Sequence, residues 1–367
     1  MDKKFYLDIP DNVFNFLKTL QKDSIYRYFP TPEGLTEAGK SIELGFSCYA
    51  MKIYYMTSNL EKLTIKDRND WIEFINSFQA TDSQFPNYSY IDKNLVDSIN
   101  TFELSESLKY QVKNILSKLN IKRYDSKNDL IMKSVNADTK QALATLAEIN
   151  EESFHKVEMP FLNAKDLLGY LEGLNWMEPW TSGAQFSSLC VYSRINENVF
   201  NSELESFATK IFVQDTGSYH SPNLSNKREI INGAMKIITG LDWINVPIHN
   251  PKQLINFCLS NIPESEGCDI VDFVYVLYKC SNQVDYRKDE INKLFIEILE
   301  QIKKLYNEQD NAFSYFTNQS QTHYYGAKIS KGEHRADIHG SLLCLWAVLM
   351  ILESLDLKEE NLKIIKP

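Results

Sequence analysis

Hydrophobic and polar positions along this chain fall into two kinds of helical segment. One kind is apolar almost all the way round, as in Phe46–Met56 and Leu342–Leu352. A helix with no polar face is buried on every side. The other kind carries one apolar stripe and one charged face, as in Asn69–Phe78, Leu104–Leu119, Glu203–Phe212 and Asp289–Leu305. That period marks surface helices laid on a core. Few stretches read as strands. The pattern predicts an all-α protein, with inner helices beginning near residues 45, 138, 182, 231, 268 and 338. Outer helices are expected near 12–21, 68–79, 104–119, 163–174, 202–212, 251–261 and 288–305. Two such layers make an (α/α) toroid or barrel of about six hairpins. Residues 81–133 are the least regular and most polar, and are expected to form an insertion or flap. No Pro/Gly-rich linker interrupts the chain, so a single domain is expected over 1–367.

A unit recurs within this pattern. A polar helix leads to an Asp-plus-aromatic loop, then to an apolar helix with a small residue near its start. The loops are DSIYRY at Asp23, DTGSY at Asp215 and DNAFSY at Asp310. The helix starts are Leu44-Gly45-Phe46, Asn232-Gly233-Ala234 and His339-Gly340-Ser341, with Ser182-Gly183-Ala184 opening a similar helix. Self-similarity in fixed order is the mark of a repeat architecture. The N-terminal copy, FLKTLQKDSIYRYFPTPEGLTEAGKSIELGFSCYAMKI, resembles the repeat of terpenoid cyclases and protein prenyltransferase β-subunits. There a Gln-Asp-Gly-Gly-type turn leads into an inner helix. The last copy, with DNAFSYF before ADIHGSLLCLWAVLMI, is similar in layout. The resemblance implies an α/α toroid and leaves the chemistry open, because one fold hosts many reactions.

Charge and cysteines narrow the classes. Net charge is −10, with no Lys/Arg stripe, which argues against nucleic acid as a partner. The start MDKKFYLDIPDN has no apolar signal core, and Leu342–Leu352 is too short to span a bilayer. Six scattered cysteines (48, 190, 258, 268, 280 and 344) form no CxxC pair. Buried reduced thiols in a cytoplasmic protein are expected.

Candidate chemistry gathers where loops enter inner helices, because helix N-termini present free N–H groups. The densest cluster is Gly332 to Gly340, holding His334, Arg335, Asp337 and His339. Imidazole exchanges protons near neutral pH, and a carboxylate can fix its tautomer. Asp337 can equally be a plain N-cap. Tyr219 and His220 follow Asp215, and a Tyr/His pair suits β-elimination, although adjacent residues in an extended segment point opposite ways. Asn232 can bind a carboxylate or hydroxyl, or cap its helix. Asp269 and Asp272 are three apart on one helical face and can share a proton, bind a metal or grip sugar hydroxyls. Trp176, Glu178 and Trp180 form a loop suited to stacking on a sugar ring. Cys268, Asp269 and His339 have the donor types of a zinc site but not the Asp-x-Cys spacing of the prenyltransferases, so no cofactor is expected.

The acid motif of class II terpene cyclases, Asp-x-Asp-Asp, is absent, as are Asp-Asp-x-x-Asp, Walker A and G-x-S-x-G. The reading that follows is an enzyme with a central pocket performing acid/base chemistry on a carbohydrate, as lyase, hydrolase or epimerase. A small molecule or oligosaccharide is the expected substrate. The alternatives are an isoprenoid enzyme using the 20 Phe and 20 Tyr as cavity wall, and a non-catalytic binding module.

Overall fold

The computed structural model describes residues 2–100, 127–263 and 267–367. The fold is all-α, with fourteen helices among the described residues. In chain order the first seven are α1 (Lys3–Thr19), α2 (Glu37–Ser41), α3 (Leu44–Met56), α4 (Ile65–Asn76), α5 (Lys93–Asn100), α6 (Lys127–Glu148) and α7 (Ala164–Gly173). The rest are α8 (Pro179–Ile195), α9 (Asn201–Ile211), α10 (Lys227–Trp243), α11 (Pro251–Leu259), α12 (Cys268–Gln283), α13 (Lys288–Lys303) and α14 (Ile338–Ser354).

Six of these form an inner circuit. Helix α3 packs on α6, α6 on α8, α8 on α10, α10 on α12, α12 on α14, and α14 returns to α3. All six are those whose starts the apolar pattern marks. One start moves: the second inner helix begins at Lys127 rather than near 138, because its first turns carry the mixed polar sequence KNDLIMKSVN. The remaining helices pack outside, α1 against α3 and α14, α4 against α3, α9 against α8, α11 against α12 and α13 against α12 and α14. In α13 the buried stripe is Ile291, Leu294, Phe295, Ile298, Leu299 and Ile302, the i, i+3, i+4, i+7 spacing of one helical face. Each such side chain contributes about 1.5–3 kcal/mol on burial, so a charged residue at the fully buried Leu299 would detach this helix. The outer helix expected at 104–119 lies outside the described residues. Of the stretch 81–133, the described part holds half a small hairpin, α5 and the first turns of α6.

The recurring Asp-plus-aromatic loops are short hairpins that follow outer helices. Strands β1 (Gln79–Ala80) and β2 (Ser89–Tyr90) form one, and β3 (Phe212–Val213) with β4 (Ser218–Tyr219) another. A third joins β5 (Tyr306–Asn307) to β6 (Ala312–Phe313), and a single Gln21–Tyr28 bridge makes the N-terminal copy. Each return arm brings in a fully buried aromatic ring: Tyr28, Tyr90, Tyr219 and Phe313. A further hairpin, β7 (His323–Tyr324) with β8 (Ala327–Lys328), lies in the long approach to α14.

The small residues at inner-helix starts admit close neighbours. A Cβ on Gly45 would sit 2.0 Å from the Tyr324 hydroxyl, and one on Gly340 would meet the Tyr315 backbone nitrogen at 2.4 Å. Both glycines let the final approach loop press against the ring. At the other end, the C-terminal tail crosses the finishing ends of three inner helices. Lys363 N–H donates to Met56 O of α3 (3.0 Å), and the Trp243 indole of α10 donates to Pro367 O (3.0 Å). The Lys366 backbone N–H donates to Glu148, the last residue of α6. No helix among the described residues is long and apolar enough to cross a membrane.

Candidate functional site

Polar groups from five inner helices converge on Lys236 of α10. Its ammonium lies 5.6 Å from the Trp180 ring of α8. It acts electrostatically on Lys140 of α6, Asp272 of α12 and His339 of α14. The sixth helix, α3, supplies Tyr49, which stacks on His339 with centroids 4.8 Å apart and planes 15° from parallel. The other face of His339 is covered by Tyr315 at 5.0 Å. The imidazole is therefore clamped between two phenol rings. Its Nδ1 is sealed from solvent and has no hydrogen-bond partner among the described residues. Burial and the Lys236 charge push its pKa down to about 3, so it is neutral throughout the physiological range.

Tyr315 extends the chain of contacts. Its hydroxyl meets Cys268 Sγ at 2.7 Å, and the thiol is pushed up by burial and by Asp272. Asp272 is 2 % exposed, and its Oδ2 has no hydrogen-bond partner among the described residues. Burial pushes its carboxyl up to about 6, with Lys236 pulling in the opposite direction. One helical turn before it, Asp269 is fully engaged: Asn232 Nδ2 donates to it at 2.6 Å and Arg228 Nε pairs with it at 2.8 Å. On α6, Asp138 accepts a 2.6 Å hydrogen bond from Tyr324, and burial pushes it up to about 8. Asp138 and Asp272 sit on helices three places apart in a circuit of six, and so across the centre from one another. Trp180 and Tyr325, both about two-fifths exposed, give this cluster its wet aromatic edge. Two cavities adjoin it, about 580 Å³ beside Arg228, Asn232 and Asp269, and about 320 Å³ beside Glu178, Ser182 and Tyr170.

The sequence motifs divide sharply against this geometry. His339, Asp272, Asp269, Asn232 and Trp180 belong to the cluster, and Glu178 is exposed in the adjoining groove. Others are structural. Asp337 caps α14 through Gly340 N (2.7 Å), and its second oxygen accepts from Tyr315 N (2.7 Å) and Gln321 N (3.0 Å). With both oxygens committed to backbone, it is no acid/base partner for His339. Arg335 pairs with Asp310 and Glu33, pinning the last hairpin. His334 is exposed, and its backbone carbonyl accepts from Asn307 Nδ2, so the imidazole has no place in the centre. Tyr219 and His220 point to different partners. The Tyr219 hydroxyl bonds His249 Nδ1 (3.0 Å), whereas His220 Nδ1 donates to Ser221 O (2.7 Å) and its Nε2 meets Thr216 Oγ1 (2.9 Å). Both are buried and satisfied, so they form no catalytic pair. Asp215 is an exposed turn residue whose carbonyl holds Gln253. Trp176 is packed on Phe207, its indole donating to Leu171 O (2.8 Å). Among the described residues no group of three or more His, Cys, Asp and Glu is placed to hold a metal ion, and the Cys268 thiol is paired with a phenol instead.

Sequence reading missed Tyr49, Asp138, Lys140, Lys236, Tyr315 and Tyr324. The available signal was a lone charge inside an apolar helix, as with Lys236 in INGAMKIITG. A long charged side chain there needs an interior reason.

No protein-family model matches the chain. No curated protein matches it either. A solved structure titled as a polysaccharide lyase follows a similar course, with 13% identity and a TM-score of 0.47 over 97% of this chain and 99% of that one. A likeness that loose bears on neither residues nor reaction.

Proposed function

We propose that the six-helix circuit is an (α/α) toroid and that its centre is the active site of a carbohydrate-acting enzyme. The observation that carries this reading is Asp272: a carboxylate buried in the ring, with one oxygen unpartnered, beside a part-exposed Trp and a neutral imidazole. A buried polar atom without a partner costs about 1–3 kcal/mol. A ligand hydroxyl or a transferring proton removes that cost, and aromatic rings with hydroxyl-binding groups suit a sugar.

The two carboxyls divide the proton work. Asp138, raised to about 8, carries its proton at neutral pH and serves as the acid toward a leaving oxygen. Asp272, near 6, is mostly ionised there and serves as base or nucleophile from the opposite side. Environments that push two carboxyls apart are how one site supplies both roles, and glycosidic-bond cleavage uses such a pair. His339 cannot be the acid, because it holds no proton to give at neutral pH beyond its neutral N–H. It orients a hydroxyl. The hydrogen-bonding, charged centre favours this over an isoprenoid cavity.

The test is turnover on a panel of oligosaccharides with mass analysis of the products. Addition of one water per cleavage, lost in Asp272→Asn and in Asp138→Asn, supports hydrolysis. A product with a new ultraviolet-absorbing double bond moves the reading to a lyase. Unchanged turnover in both variants removes these residues from the chemistry.

A further inference from the structure

We infer that Tyr325, at the tip of the β7–β8 hairpin, is the platform on which a sugar ring of the substrate stacks, on the side of the cleaved bond where Asp138 gives its proton. This rests on the carbohydrate reading above and names a binding residue of that site.

Tyr325 and Gly326 are the two residues that join β7 to β8, with Tyr324 paired to Ala327 across the turn. Both have positive φ, 43° and 93°. A two-residue turn of this kind favours Asn, Asp or Gly at its first position, because those residues tolerate the left-handed region. A bulky aromatic residue there is strained. Strain that persists beside a site points to a use for the side chain. Two other large side chains among the described residues share this conformation, Tyr88 (φ 63°) and Arg287 (φ 51°). Both are spent on the protein. Tyr88 stacks on His155 at 4.6 Å, and Arg287 pairs with Glu290 at 2.6 Å and donates to Asn256 at 2.8 Å. The ring contact of Tyr325 among the described residues is edge-on to Tyr324, centroids 4.6 Å apart, and the residue is left 42% exposed.

Tyr324 fixes where that ring stands. It is buried, its hydroxyl donates to Asp138 at 2.6 Å, and its ring packs on Phe46 at 5.2 Å. It fits only because Gly45 has no side chain: a Cβ there would lie 2.0 Å from its hydroxyl. The turn is thus clamped through Tyr324 to the carboxyl that acts as acid. Burial and Asp138 push the Tyr325 hydroxyl above the usual phenol range, so that end lies toward the centre and the exposed part is ring. A held, part-exposed aromatic ring gives a ligand contact area at little entropic cost. The C–H face of a sugar ring is the apolar surface that covers it, and that contact takes both faces out of water.

The test uses the full chain with two variants. Tyr325→Asn gives the turn the Asn-Gly pair it prefers and removes the ring, whereas Tyr325→Phe keeps the ring. Wild type and variants are assayed on short oligosaccharides of glucan, mannan, galactan and galacturonan, with melting temperatures measured alongside. The expected result is that Tyr325→Asn melts at or above the wild type. Its KM should rise about tenfold with kcat held within about threefold, the signature of lost ground-state binding. Tyr325→Phe should keep KM within about twofold of the wild type. An unchanged KM in Tyr325→Asn, on a saccharide that the wild type turns over, overturns the inference and leaves the carbohydrate reading standing. So does a lower melting temperature in Tyr325→Asn that Tyr325→Phe restores, because the ring is then part of the fold. Turnover of no saccharide by the wild type removes the carbohydrate reading and this inference with it.

Discussion

Where the inner helices finish, the lysines of the C-terminal tail have counter-charges; the ring centre leaves polar atoms open. At the finishing end Lys366 donates to the Asp242 carbonyl at 2.7 Å and rests over Trp243, while Lys279 pairs with Asp242 at 3.1 Å and Lys363 with Glu61. The tail ties α3, α6 and α10 together there, and its charges are spent on that task. At the centre, Asp272 Oδ2 and His339 Nδ1 have no hydrogen-bond partner among the described residues. Residues of the same types thus serve two ends. Satisfied groups hold a structure, and groups held unsatisfied in a rigid frame are ready for a ligand.

The sharpest break of this comparison is Asp272→Asn. We expect turnover to fall by about 10²–10⁴, the usual worth of a positioned proton carrier. The melting temperature should hold or rise, since an unpartnered carboxylate oxygen is removed. A large loss of stability with activity intact would place Asp272 among the structural groups.

Asp337→Ala should do the reverse. Three backbone N–H groups lose their acceptor, for a cost of about 3 kcal/mol in denaturant unfolding.

Next come opposite pH slopes. Asp138 has a folded pKa raised to about 8, against about 3.9 unfolded. Between those values the folded state binds more protons, so stability falls as pH rises. Asp138→Asn should gain on the wild type progressively from about pH 4 to about pH 8. His339 has a folded pKa lowered to about 3, against about 6.5 unfolded. Between those values the unfolded state binds more protons, so stability falls as pH drops. His339→Phe, which preserves the stack between Tyr49 and Tyr315, should gain on the wild type from about pH 6.5 downward. Urea unfolding at four or five pH values reads both slopes, and parallel lines would refute the assignment.

The smallest effect belongs to Lys366→Ala at the closed end. Its pairs are partly exposed, so the expected cost is at most about 1 kcal/mol, read as a shift in urea midpoint.

Much of the fold was legible before any coordinates. The 3.6-residue period, being local, separated apolar inner helices from striped outer ones, and all six inner helices sit where that pattern marks them. Lys127–Val135, the first two turns of α1 and all of α5 were missed, because polar turns look like loops when their packing partners are unknown. The recurring Asp-plus-aromatic units were visible, but their nature as hairpins delivering a buried ring was not, since two-residue strands have no period of their own. For the site, the sequence alone determined which residue types stand at helix starts. It marked His339, Asp272 and Asn232 together with Asp337, Tyr219 and His220, because all stand in inner-helix starts or in the loops that lead to them. Tertiary structure alone decided among them. Asp337 and His220 find local backbone and hydroxyl partners, whereas Asp272 and His339 are brought by ring closure against Lys236, Tyr49 and Tyr315 from distant parts of the chain. Whether a polar atom is spent or free depends on what the closed ring places within three ångströms of it, and no local pattern encodes that distance.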